Sequence, residues 1–446
     1  MIVNRLAASA ALAAAITLAT MALPTTAGAA SPPSLPQTSS ADAAATWLAG
    51  QFVSGEYIPS PATPTPPYTP DLSATANAVL ALTSAGTHTS LANSALVYLE
   101  GQVDTYVTVD GSDGPAELAL LILDAKSLGV SPTSFGGTNL VARLLATQQT
   151  TGAQAGLFGT ASQAADYDAG NYVQGLALAA LAAAGLTGTP AVVSAESWLT
   201  VQQCPNGGWT FLNTTSNPCN GKPAHYAGPD TNSTALAVEG MEAQGALSTK
   251  AAASALHFLK KAEDADGGWG YEPNTGSAPG STDPDSTALV IQALLALGAP
   301  PASPEFTKSG TDPVAWLLAD QIGSGSGAGA FVYPGYSGAN LLATYEAIPA
   351  LAGVTFAYNL RTPAVTKVHP AHGPTAGGTV VTLTGSSFTE VSNVLFGTTA
   401  ATSFTVESGT SIKAVAPAGT AGTVAVTVVS PAGTSAVTGS TQFTYR

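Results

Sequence analysis

The sequence predicts two folds in one chain: a mainly α part built from six helix pairs closed into a double ring, and behind it a small β-sandwich. Three observations carry that reading. An alanine- and leucine-rich segment recurs with a closing glycine at Gly86, Gly129, Gly185, Gly245, Gly298 and Gly353. A shorter segment precedes each one, with an aromatic residue or leucine near its middle: Trp47, Tyr98, Leu144, Trp198, Phe258 and Trp316. From Pro363 onward the composition turns to Val, Thr, Gly and Pro in short alternating runs broken by turns, the pattern of a sandwich.

Taken from the start, residues 1–30 read as a signal peptide. Arg5 gives a basic beginning, an apolar run follows from Leu6 to Leu23, and Ala27-Gly28-Ala29-Ala30 suits peptidase cleavage. The expected location is therefore extracellular. No second apolar run reaches the roughly 18 residues a membrane span needs, so no stable membrane insertion is expected after cleavage. The net charge of -15 repels phosphate backbones and anionic lipid, which excludes nucleic acid as a partner class. Residues 31–40 are rich in Pro and Ser and read as a flexible leader.

The repeats fill residues 41–360. Asp71, Asp230 and Asp283 stand where a helix N-cap must accept bonds from free amides, and a carboxylate there also meets the positive end of the helix dipole. Pro284 falls at the first helical position, where its missing amide is no loss. A Thr-Ala pair follows the cap in one register in all three of these helices. Trp47 and Trp316, in the first and last units, hold the place that Trp198 holds in an inner one. An open array needs polar caps at its ends, so a closed ring is expected. Cys204 and Cys219 are an even pair in an exported chain and read as a disulfide, which would close a loop worth about 3 kcal/mol. No metal set is recognised, since His225 alone stands near the cysteines.

The Gly-Gly-Trp turns at Gly207–Trp209 and Gly267–Trp269, each followed by an Asp-initiated Ala/Leu helix, resemble the repeats of the prenyltransferase, squalene-cyclase and terpene-cyclase superfamily. The resemblance spans about Asp42 to Tyr358. It implies an α6/α6 toroid whose second helices form an inner ring around a central cavity. Residues 361–446 resemble an IPT/TIG immunoglobulin-like domain in Pro370, Gly373-Pro374, Gly377-Gly378-Thr379, Gly385, Phe388 and Phe396-Gly397. That resemblance implies a non-catalytic module for binding or spacing.

Candidate chemistry is sparse. Asp283-Pro284-Asp285-Ser286 is similar to the DxDD acid motif of class II terpene cyclases, with Ser286 in place of the final Asp. Acids recur at other helix starts, as capping requires and a unique catalytic acid does not, so capping outweighs catalysis for Asp283 and Asp285. Trp209, Trp269 and Tyr271 alternate across their turns and either stack on a ligand or pack one helix pair on the next, the packing role being preferred. Tyr172, Gln174, Glu239, Glu242, Gln292, Tyr345 and Glu346 are the polar side chains of the second helices that would face a cavity. The zinc set of protein prenyltransferases and the thioester stretch of complement domains are both absent.

The leading expectation is a secreted, non-catalytic protein without a cofactor, binding a small apolar ligand, a glycan or a cell-surface component. Two alternatives stay open: a divergent cyclase-like enzyme or polymer hydrolase using Asp283 or Asp285, and a cobalamin-type carrier.

Overall fold

The computed structural model describes residues 35–160, 163, 169–211, 219, 228–273, 282–356, 363–386, 388, 391, 393–408, 411–430 and 433–446. The signal segment lies outside these residues. Helices α1 (Thr38–Ala49), α2 (Leu72–Ala85), α3 (Thr89–Glu100), α4 (Val103–Val107), α5 (Pro115–Ser127), α6 (Leu140–Ala146) and α7 (Asn171–Ala183) build the first half of the ring. The second half holds α8 (Pro190–Val201), α9 (Thr231–Gln244), α10 (Thr249–Ala262), α11 (Pro284–Ala296), α12 (Pro313–Ala319) and α13 (Leu341–Ala352). The leader is shorter than its composition implied. Helix α1 already begins at Thr38, and the Gln37 amide donates to Leu351 O at 2.7 Å, which ties the chain down before residue 40.

Helices α2, α5, α7, α9, α11 and α13 form the inner ring, each packed on the next and α13 on α2. Almost every residue along them is buried, because their backs meet the outer helices and their fronts meet each other. A helix apolar on all sides is what such a position demands. Asp71, Asp230, Asp283 and Asn340 cap four of them by accepting from Ala74, Ser233, Ser286 and Ala343. All six closing glycines adopt left-handed φ, from 68° at Gly245 to 80° at Gly185.

The Thr four residues past the cap, which opens the Thr-Ala pair in three of the helices and is Thr344 in the last, has a task that its spacing did not reveal. Its hydroxyl accepts the amide of the residue that opens the preceding turn: Ile58 to Thr75 at 3.0 Å, and Trp209 to Thr234, Trp269 to Thr287 and Phe331 to Thr344 at 2.9 Å. In the third unit Gln174 Oε1 takes over for Phe158 at 3.0 Å. Each turn is thereby pinned to its own inner helix. Neighbouring units are tied by glutamines: Gln148 Nε2 donates to Ala191 O at 2.8 Å and Gln203 Nε2 to Ala251 O at 3.0 Å. Gln321 Nε2 makes the same bond to Ser40 O at 2.8 Å, joining the last unit to the first. The ring is closed.

Between α7 and α9 the approach is closest. A Cβ on Gly175 would strike the backbone of Leu236, and one on Gly240 would strike Gly175. The Cys204–Cys219 disulfide is present, with Cα atoms 5.4 Å apart. The C-terminal domain is two sheets. One orders strands 403–408, 411–415, 380–386 and 364–369, and the other orders 399–400, 393–396, 422–430, 442–445 and 372–373, the last pair parallel. Its separate core is built on Val381, Leu383, Phe388, Phe396, Ile412 and Phe443.

Candidate functional site

Each unit runs outer helix, turn, inner helix, so the six inner helices are parallel and all begin at one end of the ring. Their dipoles point positive ends at that mouth. Carboxyl groups and tyrosines collect there. Asp285 lies two residues past the α11 cap and is 2% exposed, and neither of its carboxyl oxygens has a hydrogen-bond partner among the described residues. The hydroxyls of Tyr172 on α7 and Tyr345 on α13 are likewise buried without a partner among them. Burial raises both tyrosines above the ordinary phenol range, and the carboxylate of Asp285 raises them further. Three inner helices therefore bring Tyr172, Tyr345 and Asp285 together.

Asp283 and Asp285 are distinct in surroundings. Asp283 accepts the Ser286 amide at 2.7 Å and the Ser286 hydroxyl at 3.0 Å, as a cap should. Burial still pushes its carboxyl up, against those bonds and one from the Tyr271 backbone. Asp285 caps nothing. Burial, then the like charge of Asp283, push its carboxyl well above the usual carboxylate range. Asp230 on α9 is pushed up to about 7, by burial opposed by its cap bonds.

The aromatic pairs of the turns divide by position. Trp209 and Trp269 are buried, and their indole N–H groups donate to Leu199 O and Leu259 O at 2.8 Å. They wedge each turn against its own outer helix. The second members are half-buried at the mouth: Phe211 packs on Tyr172 with ring centroids 5.8 Å apart, and Tyr333 is raised by burial and by Asp283 and Asp285. Tyr271 is half-buried, and its carbonyl accepts the Thr231 amide at 3.2 Å.

Deeper in the ring is a cavity lined by Asn77, Leu80, Leu289, Gln292, Tyr345, Glu346 and Phe356 among others, with a volume of about 20 Å³. It holds one water. Gln292, Tyr345 and Glu346 line this cavity, and Gln174 and Glu242 do not. Gln174 is consumed by Phe158, Gly156 and Ala195 in the turn clamp, and Glu242 is half-buried in the last turn of α9. Glu239 is fully buried and accepts the Phe356 amide at 2.8 Å, so the segment leaving α13 is latched across the far end of the ring. Burial pushes Glu239 up to about 8. Asn77 and Phe356 line the cavity without having been legible in the sequence, since Phe356 comes from the segment that follows α13. Among the described residues, no group of three or more His, Cys, Asp or Glu is placed to hold a metal ion.

Comparison with known families agrees with this geometry. Residues 128–282 match the squalene-hopene cyclase C-terminal domain, and residues 363–445 match the IPT/TIG domain. The chain is thus similar to a squalene-hopene cyclase C-terminal domain within the toroid and to an IPT/TIG domain behind it. Among solved structures, the toroid is similar to unsaturated glucuronyl hydrolase from Bacillus sp. GL1, at 14% identity and a TM-score of 0.50 over 71% of this chain and 95% of that one. It is also similar to the type II terpene cyclase MstE from Scytonema, at 18% identity and a TM-score of 0.48 over 72% of this chain and 98% of that one. At such identities the likeness is one of fold. No curated protein matches the sequence.

Proposed function

We propose that the chain is an exported binding protein whose toroid takes a polar ligand, a glycan, at the mouth where the inner helices begin. The observation that carries this reading is the trio Asp285, Tyr172 and Tyr345. Their polar atoms are buried and lack partners among the described residues, and each such atom costs about 1–3 kcal/mol until something bonds to it. Sugar hydroxyls both donate and accept, so they suit a carboxyl group and two phenols, and Phe211 and Tyr333 offer ring faces beside them. A wholly apolar ligand would leave the trio unsatisfied. The one-water cavity below, about 20 Å³, likewise gives a terpenoid no room in that part of the ring.

The test is calorimetric titration of the intact chain with a panel of soluble oligosaccharides, with a prenyl alcohol and a corrinoid as contrasts. Saccharide binding that weakens at least tenfold in Asp285→Ala and Tyr345→Phe supports the reading. Binding of the prenyl alcohol or corrinoid instead, or saccharide binding indifferent to both substitutions, overturns it.

A second reading is favoured by one observation, the buried carboxyl of Asp285, which has no hydrogen-bond partner among the described residues. A carboxyl group whose pKa is raised by burial can give its proton to a glycosidic oxygen or a double bond. In that case turnover would vanish in Asp285→Asn and survive in Asp283→Asn, since Asn caps a helix as well as Asp does.

A further inference from the structure

The hairpin between α1 and α2 carries a feature that the toroid does not require. Ile58–Pro59 pairs with Pro70–Asp71, and the intervening loop reads SPATPTPPYT, with four Ser or Thr residues and four prolines. Three of the hydroxyls are used within the loop. Thr63 Oγ1 accepts the Thr69 amide at 2.9 Å and is hydrogen-bonded to Thr69 Oγ1, and Ser60 Oγ accepts the Ala62 amide at 3.3 Å. Thr65 is different. It is exposed, and its hydroxyl has no hydrogen bond to any described residue.

The prolines explain why this hydroxyl stays available. Pro64, Pro66 and Pro67 have no amide N–H, so the stretch 64–67 can join neither a helix nor a sheet ladder. Thr65, Pro66 and Pro67 form a bend on the surface, and the fixed φ of each proline leaves little chain entropy to lose on entering another protein's cleft. Threonine between prolines in an exported chain has the composition of O-glycosylated segments. Asn232, which opens an Asn-Ser-Thr sequence of the kind that accepts N-linked sugars, is by contrast 1% exposed.

The geometry points to Thr65 as an O-glycosylation acceptor. In the transfer, Thr65 Oγ1 forms a bond to the anomeric carbon of an activated sugar phosphate, nucleotide- or lipid-linked. The anomeric carbon–oxygen bond to phosphate breaks, the phosphate leaves with the electron pair, and the hydroxyl proton passes to the transferase's base. The assignment rests on export but not on the ligand proposed for the mouth.

The experiment takes the full chain from its producing cells and their medium, and compares intact mass and peptide maps of wild type and Thr65→Val. The expected result is a mature chain heavier than its polypeptide by whole sugar units, with the increment on the peptide holding Thr65 and lost in the variant. A bare Thr65 peptide, or an increment that persists on that peptide in Thr65→Val, overturns the assignment. So does a chain retained in the cells with residues 1–30 still attached, which the intact mass distinguishes from an exported but unmodified one. Saccharide titration of the variant separates this result from the mouth site, since Thr65→Val leaves Asp285, Tyr172 and Tyr345 in place.

Discussion

Asp283 and Asp285 stand two residues apart in one helix start, yet their carboxyl groups meet different surroundings. Asp283→Asn is expected to keep the melting temperature within a degree or two of wild type, because the amide oxygen can accept from Ser286. Asp283→Ala loses the cap and about 1 kcal/mol in urea denaturation. Asp285→Leu removes a buried carboxyl without described partners and is expected to leave the fold as stable or stabler at pH 8, while abolishing ligand binding. Glu239 gives a pH signature. Its folded carboxyl titrates at about 8 against 4.5 for the ordinary group, so between those values the native state holds a proton that the unfolded chain has lost. That contribution is fully present below about pH 4.5 and is lost as pH rises through about 8. Thermal scans from pH 5 to 8 should show a falling melting temperature in wild type and a flatter profile in Glu239→Gln, whose amide oxygen can still accept from Phe356. Capping was legible in the sequence for Asp71, Asp230 and Asp283, since a cap is decided by its next three residues. The freedom of Asp285 was not, because it depends on α7 and α13, which lie far away in the chain.

At the scale of elements, the legible part was periodicity and punctuation. Closing glycines, capping acids and the six apolar segments located the inner helices, since each of these is a local requirement. The Thr clamp was visible as a recurrence but had no visible cause: its partner amide is 18 residues away in the unit of Trp269 and 25 in that of Trp209. Thr287→Val keeps the shape and removes both the acceptor for the Trp269 amide and the donor to Trp269 O, which sit at 2.9 and 3.1 Å. The expected loss is about 1–3 kcal/mol, read as a shift in the urea midpoint, with Trp269 fluorescence moving red as the wedge loosens. Thr287→Ser should recover most of it. Gly240→Ala addresses a different contact. The added methyl meets the backbone of Gly175, so α7 and α9 must part, and a similar or larger loss is expected.

At the scale of the molecule, the question is whether the first and last units behave as neighbours. Gln203 spans its own turn and the next outer helix, with bonds to Gly207 O at 2.9 Å and Ala251 O at 3.0 Å. Gln321 repeats this with Gly329 O at 2.9 Å and Ser40 O at 2.8 Å, although Ser40 is 281 residues away. Closing a loop of that length is entropically costly, but the cost grows only as the logarithm of length, so a few such bonds and the packing of α1 on α13 suffice to hold the seam. In a closed ring, Gln321→Leu and Gln203→Leu should therefore lower stability alike, each by about 1 kcal/mol, since each removes one bond to its own turn and one to a neighbouring unit. The two variants should differ in how they open. At the seam the freed helix is α1, whose contact with the last unit Gln321 supplies, so hydrogen exchange in Gln321→Leu should quicken across 38–49 and leave the inner helices protected. In Gln203→Leu the freed helix is α10, held also by the Lys260–Glu305 pair, so exchange there should change less. Equal exchange of α1 in both variants, with no loss of stability in Gln321→Leu, would mean that the seam is open in solution and that the toroid works as an arc.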